Sequence, residues 1–150
     1  EYGKPYLQDI PDAPHFSVSH SEDTALIALS QHPVGVDIER VRPLSALAQM
    51  ADIAFTDAER TALWDQPDAA RLTAFFRLWT RKEAVTKAHG AGFRLIKSFS
   101  LTSNEEDGTW MQLNGAGYTV RSVDCAAGFA AAVAVLDPSG EGLDVVSAAF

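Results

Sequence analysis

The sequence predicts an α+β fold, an antiparallel sheet with helices packed on one side. Two observations predict it: strand-like segments gather toward the two ends of the chain, joined by short turns, and a long, well-punctuated helical stretch lies between them. Strand and helix do not alternate along the chain, so a doubly wound parallel sheet is not expected. The 150 residues are 47% hydrophobic and 21% charged, enough apolar content for a buried core and too little charge for disorder. A single domain over residues 1–150 is the simplest organisation.

From the front, Pro14 to His20 alternates apolar and polar residues, and Thr24 to Ser30 is apolar enough for a buried strand, with Ser21-Glu22-Asp23 as the connection. Val34 to Glu39 is a third strand after the His32-Pro33 break; at period two, Val36 and Ile38 share one face while Asp37 and Glu39 share the other. Leu44, Leu47, Ala48 and Ala51 then recur at helical spacing, and Thr56-x-x-Glu59 is a capping box opening a second short helix toward Trp64. The long helix starts near Pro67 and stops at Gly90. Beyond Gly92 the pattern predicts strands at Ser98 to Thr102, Trp110 to Leu113, Tyr118 to Asp124, Phe129 to Leu136 and Val145 to Ala149. Turns are expected at Glu106-Asp107-Gly108, Asn114-Gly115 and Pro138-Ser139-Gly140.

On the long helix, advancing about 100° per residue from Leu72 puts Phe75, Phe76 and Trp79 in one stripe, with Glu83 in its middle and Lys87 beside it. Arg77, Arg81 and Ala84 fall elsewhere and are expected to face solvent. A carboxylate on a core stripe is costly unless a cation, a metal or hydrogen bonds receive it. Taken alone, Glu83 and Lys87 could equally be an i,i+4 surface pair worth about 0.3–0.5 kcal/mol, and Asp37 and Glu39 two solvated residues on an open strand face. Taken together, three carboxylates and a lysine are hard oxygen ligands with a phosphate-binding cation alongside, the set that suits Mg²⁺ sharing substrate phosphates. Zinc is not expected, because the one cysteine is Cys125 and there is no histidine pair at i,i+4. Metal-assisted attack on a phosphate ester is the chemistry in view.

Composition narrows the partners. A net charge of -8 argues against nucleic acid. No apolar run is long enough for a bilayer span and no leader pattern opens the sequence. Together with the lone cysteine, expected to be an inert core thiol, this points to a soluble protein of the reducing cytoplasm.

Val34-Gly35-Val36-Asp37, then residues 38 to 78, then Trp79-Thr80-Arg81-Lys82-Glu83-Ala84-Val85-Thr86-Lys87 resembles the signature of the 4'-phosphopantetheinyl transferases. That signature reads Val/Ile-Gly-Val/Ile-Asp, a spacer, then Phe/Trp-Ser/Cys/Thr-x-Lys-Glu-Ser/Ala-x-x-Lys, and every specified position is filled. Gly3-Lys4-Pro5 and Phe16-Ser17-Val18-Ser19-His20-Ser21 further resemble motifs of the broad-specificity branch, the type that activates surfactin synthetase.

The resemblance implies a 4'-phosphopantetheinyl transferase-like fold and transfer of the phosphopantetheine arm of coenzyme A to a serine of an acyl or peptidyl carrier protein. Asp37, Glu39 and Glu83 would hold Mg²⁺, with Mn²⁺ as the alternative ion, against the coenzyme A diphosphate. Asp37, Glu83 and Lys87 would form the catalytic set. Glu83 would also be the candidate base, and Lys87 would neutralise phosphate charge as 3',5'-ADP leaves. Lys4, Ser19, His20, Lys82 and Lys87 would contact coenzyme A, with a solvated Lys82 as the alternative. His15, His32 and His89 receive no role.

The resemblance also implies two lobes with the site between them. Residues 1–33 are then expected to be a remnant of the first lobe and 34–150 the second, acting as a monomer or as a pairing that completes the missing lobe. Arg40, Arg42 and Arg60 are expected to give local positive charge for an acidic carrier. Two other readings remain at this point: a Mg²⁺-dependent nuclease or phosphodiesterase, and a lobe that binds carrier or coenzyme A without turnover.

Overall fold

The structure, a computed structural model, describes residues 4, 7, 11–101, 108–142, 144–146 and 148. Six strands and three α-helices follow in the order β1 (His15–Ser21), β2 (Thr24–Ser30), β3 (Val34–Arg40), α1 (Leu47–Ala54), α2 (Asp57–Trp64), α3 (Asp68–His89), a 3-10 turn (Phe93–Leu95), β4 (Thr109–Leu113), β5 (Ala116–Ser122) and β6 (Phe129–Leu136). Strands β3-β6-β5-β4 form one antiparallel sheet and β1-β2 a separate two-stranded one. This is the α+β architecture that the sequence predicts. No helix among the described residues is long and apolar enough to cross a membrane.

The turns explain the register. Asn114 and Gly115 both take positive φ, 53° and 82°, the two-residue loop whose twist suits a tight hairpin between β4 and β5. Gly90 ends α3 in the left-handed region, φ 80°, donating its N–H to Thr86 O. Thr56 opens α2 with a complete capping box.

Helix α3 crosses the sheet on a floor of small residues. β6 offers Ala130, Ala132 and Ala134 to the helix side, opposite Glu39, Asp37 and Gly35 of β3. A Cβ at Gly35 would lie inside Ala84 O and Ala88 N of α3 and 2.8 Å from Lys87 Cβ. Only a glycine lets the helix backbone come this close. Phe55, Phe75 and Leu63 then fill the space between α3 and the short helices, and Val34, Val36 and Ile38 are buried on the opposite face of β3.

Several expectations are corrected. The helical wheel assigned one buried face to α3, but its second half is enclosed from several sides. Ala84 and Arg81 are both 0% exposed, and Arg81 donates to Thr109 Oγ1 at 2.6 Å; Arg77 alone of the three faces solvent. Residues 98–101 are not a strand. Phe99 and Leu101 do point inward, but their backbone serves side chains of the helices rather than a ladder. The described residues of the expected strand at 145–149 are likewise irregular, and Glu106 and Asp107 of one expected turn lie outside the described residues. β2 is not buried either: Ile27 and Leu29 are 66% and 67% exposed. Cys125 is half-buried in the loop after β5, not a core thiol.

Lys82 is the largest correction. Its ammonium is fully buried and gives all of its hydrogen bonds to protein, at 2.8 and 2.6 Å to the two Glu59 carboxylate oxygens and 2.7 Å to Phe99 O. Glu59 also accepts from Thr56 N and Leu101 N, both at 2.7 Å. One capping-box glutamate thus ties α2, α3 and the 98–101 segment together, and no donor of Lys82 is left for a phosphate.

Two substitutions test this packing in urea unfolding. Lys82→Met breaks a buried pair and leaves the Glu59 charge uncompensated, so it should cost about 3–5 kcal/mol; a loss well under 1 kcal/mol would return Lys82 to a surface role. Gly35→Ala should cost about 1–3 kcal/mol or more by overpacking α3 against β3; an unchanged midpoint would mean that the helix yields freely there.

Candidate functional site

The close approach of α3 to β3 brings the sequence-predicted carboxylates and lysine together. Lys87 Nζ donates to Asp37 Oδ1 at 2.7 Å and to Val36 O at 3.0 Å. Asp37 is buried, and its Oδ1 also accepts from Ser19 Oγ at 2.8 Å. Glu39, two residues on, accepts from Ser21 Oγ at 3.3 Å. Glu83 reaches the same space from α3, one turn before Lys87.

Burial raises all three carboxyls, and like charge adds to it for Glu39 and Glu83. Burial pushes the Asp37 carboxyl up, against the lowering pull of Lys87 and Ser19. Burial and then the Asp37 charge push Glu39 up. Glu83 is pushed to about 7, first by burial and next by Asp37, with Lys87 opposing. Three acids therefore share one nearby ammonium, and the Asp37 Oδ2 oxygen is buried with no hydrogen-bond partner. Such a donor set fits a hard divalent cation, which would take the orphaned oxygen and relieve the repulsion. The described residues hold no three ligands already gathered round one point, so joint ligation requires the half-exposed Glu83 side chain to swing from α3 toward the two carboxylates of β3.

Beside the acids, a cavity of about 240 Å³ opens between β1 and the end of α3, lined by Lys4, Phe16, Val18, Glu83, Lys87 and Phe93. Lys4 Nζ donates to Ala88 O at 2.8 Å, and burial holds its pKa below the usual lysine range. Trp79 steadies the Phe93 ring, their centroids 6.1 Å apart. His20 is exposed on β1, paired with Ala25 across the hairpin, and does not line this cavity. Ser19 is engaged with Asp37 and Ile38 N rather than pointing to a ligand. The structure thus brings Asp37, Glu39, Glu83 and Lys87 together, sets Lys4 at their edge, and removes Lys82 to the core.

The arginines expected to draw an acidic partner are mostly occupied. Arg60 pairs with Asp52 and Asp57. Arg40 lies 3.9 Å from Glu22 and stacks over Phe129. Arg42 is exposed, its charge felt by Glu39.

Sequence reasoning missed the Thr86 hydroxyl and the structural part of the β1 serines, of which it had assigned Ser19 to a ligand alone. Thr86 is 2% exposed, lines the cavity and leaves its hydroxyl without a partner; nothing in a helical pattern signals that. Ser17, Ser19 and Ser21 form a series along β3, and serine at every second position of β1 was the available signal.

The sequence profile of the 4'-phosphopantetheinyl transferase superfamily matches residues 33–134. The chain is 38% identical over 107 residues to 4'-phosphopantetheinyl transferase gsp of Aneurinibacillus migulanus, covering 70% of this chain and 43% of that protein. It is 36% identical over 107 residues to the transferase Sfp of Bacillus subtilis, covering 71% and 46%. To the transferase AcpT of Salmonella typhimurium it is 38% identical over 104 residues, covering 68% and 53%. The chain spans about half the length of the curated relatives it matches.

The crowded acids set a pH dependence of stability. A carboxyl whose folded pKa is raised stabilises the fold below its unfolded value, 4.5 for Glu83, and that contribution is lost as pH rises through about 7. In chelator, the unfolding free energy should therefore fall between pH 5.5 and 8, by about 1–2 kcal/mol from Glu83 after allowing for its exposed share. Mg²⁺ should raise the melting temperature more at pH 8 than at pH 5.5. Thermal melts at the two pH values check both; a metal-free protein more stable at pH 8 would contradict the crowding.

Proposed function

Because the chain belongs to the 4'-phosphopantetheinyl transferase superfamily, we propose that it moves the phosphopantetheine arm of coenzyme A onto a serine hydroxyl of an acyl or peptidyl carrier protein. The observation that carries the reading is the Asp37–Lys87 contact beside Glu83, which joins the two halves of the family signature in one site.

The reaction exchanges the phosphoanhydride bond of coenzyme A for a phosphodiester on the carrier serine. The carrier serine oxygen attacks the phosphorus that bears the pantetheine arm, the bond from that phosphorus to 3',5'-ADP breaks, and the serine proton must leave. Glu83, with a pKa near 7, suits that proton, since a base is most effective when its pKa lies near the working pH. Lys87 would offset the charge that builds on the leaving 3',5'-ADP as the bond breaks, and Lys4 borders the same cavity. Asp37, Glu39 and Glu83 would hold Mg²⁺ or Mn²⁺, which supplies charge neutralisation for the diphosphate. Phe16, Val18 and Phe93 give the cavity an apolar wall.

Partner and setting follow the same reading. Arg42, close to Glu39, is the basic residue best placed to meet an acidic carrier at the site mouth. The net charge of -8 disfavours nucleic acid as substrate. A cytoplasmic setting fits the lone cysteine. The division into a front segment, 1–33, and a second lobe, 34–150, is supported by the matched span 33–134 and by the separate two-stranded sheet at the front.

Intact-mass spectrometry of an apo carrier protein incubated with the chain, coenzyme A and Mg²⁺ tests the proposal. The expected result is a gain of one phosphopantetheine arm that disappears in chelator. Glu83→Gln should keep the fold and slow transfer by about 10²–10⁴-fold. No gain, on a carrier that a full-length family member converts in parallel, would sink the proposal for this chain; normal transfer by Glu83→Gln would remove Glu83 from its role.

A further inference from the structure

Strand β3 has two edges, and they are satisfied differently. One pairs with β6 through a regular antiparallel ladder. Along the other, β1 lies beside β3 but belongs to a different sheet, and the backbone N–H groups of β3 donate to serine side chains. Val36 N donates to Ser17 Oγ at 3.1 Å, Ile38 N to Ser19 Oγ at 3.3 Å and Arg40 N to Ser21 Oγ at 3.0 Å. A row of hydroxyls takes the place of a backbone ladder.

A serine hydroxyl accepts and also donates one proton. Ser19 sends that proton to Asp37 Oδ1 at 2.8 Å and Ser21 sends its proton to Glu39 Oε2 at 3.3 Å. Ser17 stands at the corresponding place opposite Gly35, where there is no carboxylate to receive one. The seam is therefore repeated three times, twice with a carboxylate and once without.

We propose that Ser19 and Ser21 are positioning residues that aim the Asp37 and Glu39 carboxylates toward a shared divalent cation, and that Ser17 serves the strand edge alone. The Ser19 bond turns Asp37 so that Oδ1 lies on the hydroxyl and Lys87 while Oδ2 stays unpartnered. The Ser21 bond draws Glu39 toward the β1 side. Outer residues that orient ligating carboxylates in this way typically account for a 10–100-fold difference in metal affinity.

The inference rests on the divalent-metal reading of the acid cluster, and the three-fold repeat separates the two. Mn²⁺ titrated calorimetrically into the whole chain in metal-free buffer gives a readout independent of turnover. Ser17→Ala, Ser19→Ala and Ser21→Ala each remove one acceptor from β3, so each should lower the melting temperature to a similar degree. Only Ser19→Ala and Ser21→Ala should weaken Mn²⁺, by about 10–100-fold, and Ser21→Thr should restore it. The Ser21 pair of variants, at a partly exposed position, keeps the test open if Ser19→Ala unfolds.

Equal weakening by Ser17→Ala would show that the seam acts only through strand stability and would overturn the proposal, as would unchanged affinity in Ser21→Ala. Failure of the unsubstituted chain to bind Mn²⁺ would overturn the metal reading itself, and this proposal with it.

Discussion

The site depends on how closely α3 can lie against β3. A helix normally rests on a sheet through two layers of side chains. Here the sheet side is reduced to Gly35 and the alanines of β6, and the helix backbone settles almost onto the strand. That closeness lets a lysine on the helix reach both a backbone carbonyl and a carboxylate of β3, 3.0 and 2.7 Å away. Larger residues on the floor would raise the helix and separate Glu83 and Lys87 from Asp37 and Glu39. The residue types at Gly35, Ala130, Ala132 and Ala134 thus shape the acid cluster by leaving space rather than by touching it.

The opposite side of α3 is fixed by an ionic contact. Lys82 and Glu59 are neutralised and hydrogen-bonded within the core, so the pair is satisfied, and a satisfied buried pair mainly defines a unique arrangement rather than adding net stability. Lys82 and Glu83 are neighbours in sequence and point to opposite environments. Locking one in the core sets the rotation of the helix, and the other is thereby directed into the acid cluster. The two positions contrast electrostatically: the buried lysine has all its partners, while the three carboxylates around Asp37 share one lysine and repel each other. Proteins carry such local conflict where a ligand resolves it.

Much of this was legible in the sequence where a local rule governs. The Thr56–Glu59 capping box, the stop at Gly90, the Asn114-Gly115 turn and the span of β2 and β6 follow from residue chemistry within a few positions. The wheel failed at Arg81 and Lys82 because it allows a helix one buried face, and α3 is enclosed by the sheet, by α2 and by the 98–101 segment. Phe99 and Leu101 alternate as a strand would, but a pattern of inward residues does not say what the backbone bonds to; there it bonds to Lys82 and Glu59. Asp37, Glu39, Glu83 and Lys87 were found from period and type, yet the assignment of Ser19 to a ligand missed that its hydroxyl was needed by β3. Long-range partners of a side chain are not encoded in its neighbours.

The hydroxyl seam also explains why there is a cavity beside the acids at all. Strands joined by a backbone ladder lie about 4.7–4.9 Å apart. By bonding to β3 through serine side chains, β1 stands off as a separate sheet, and its Phe16 and Val18 border an opening toward Lys4, Glu83 and Lys87. One of the serines that complete the strand edge, Ser17, therefore also borders the space that Lys4, Glu83 and Lys87 line.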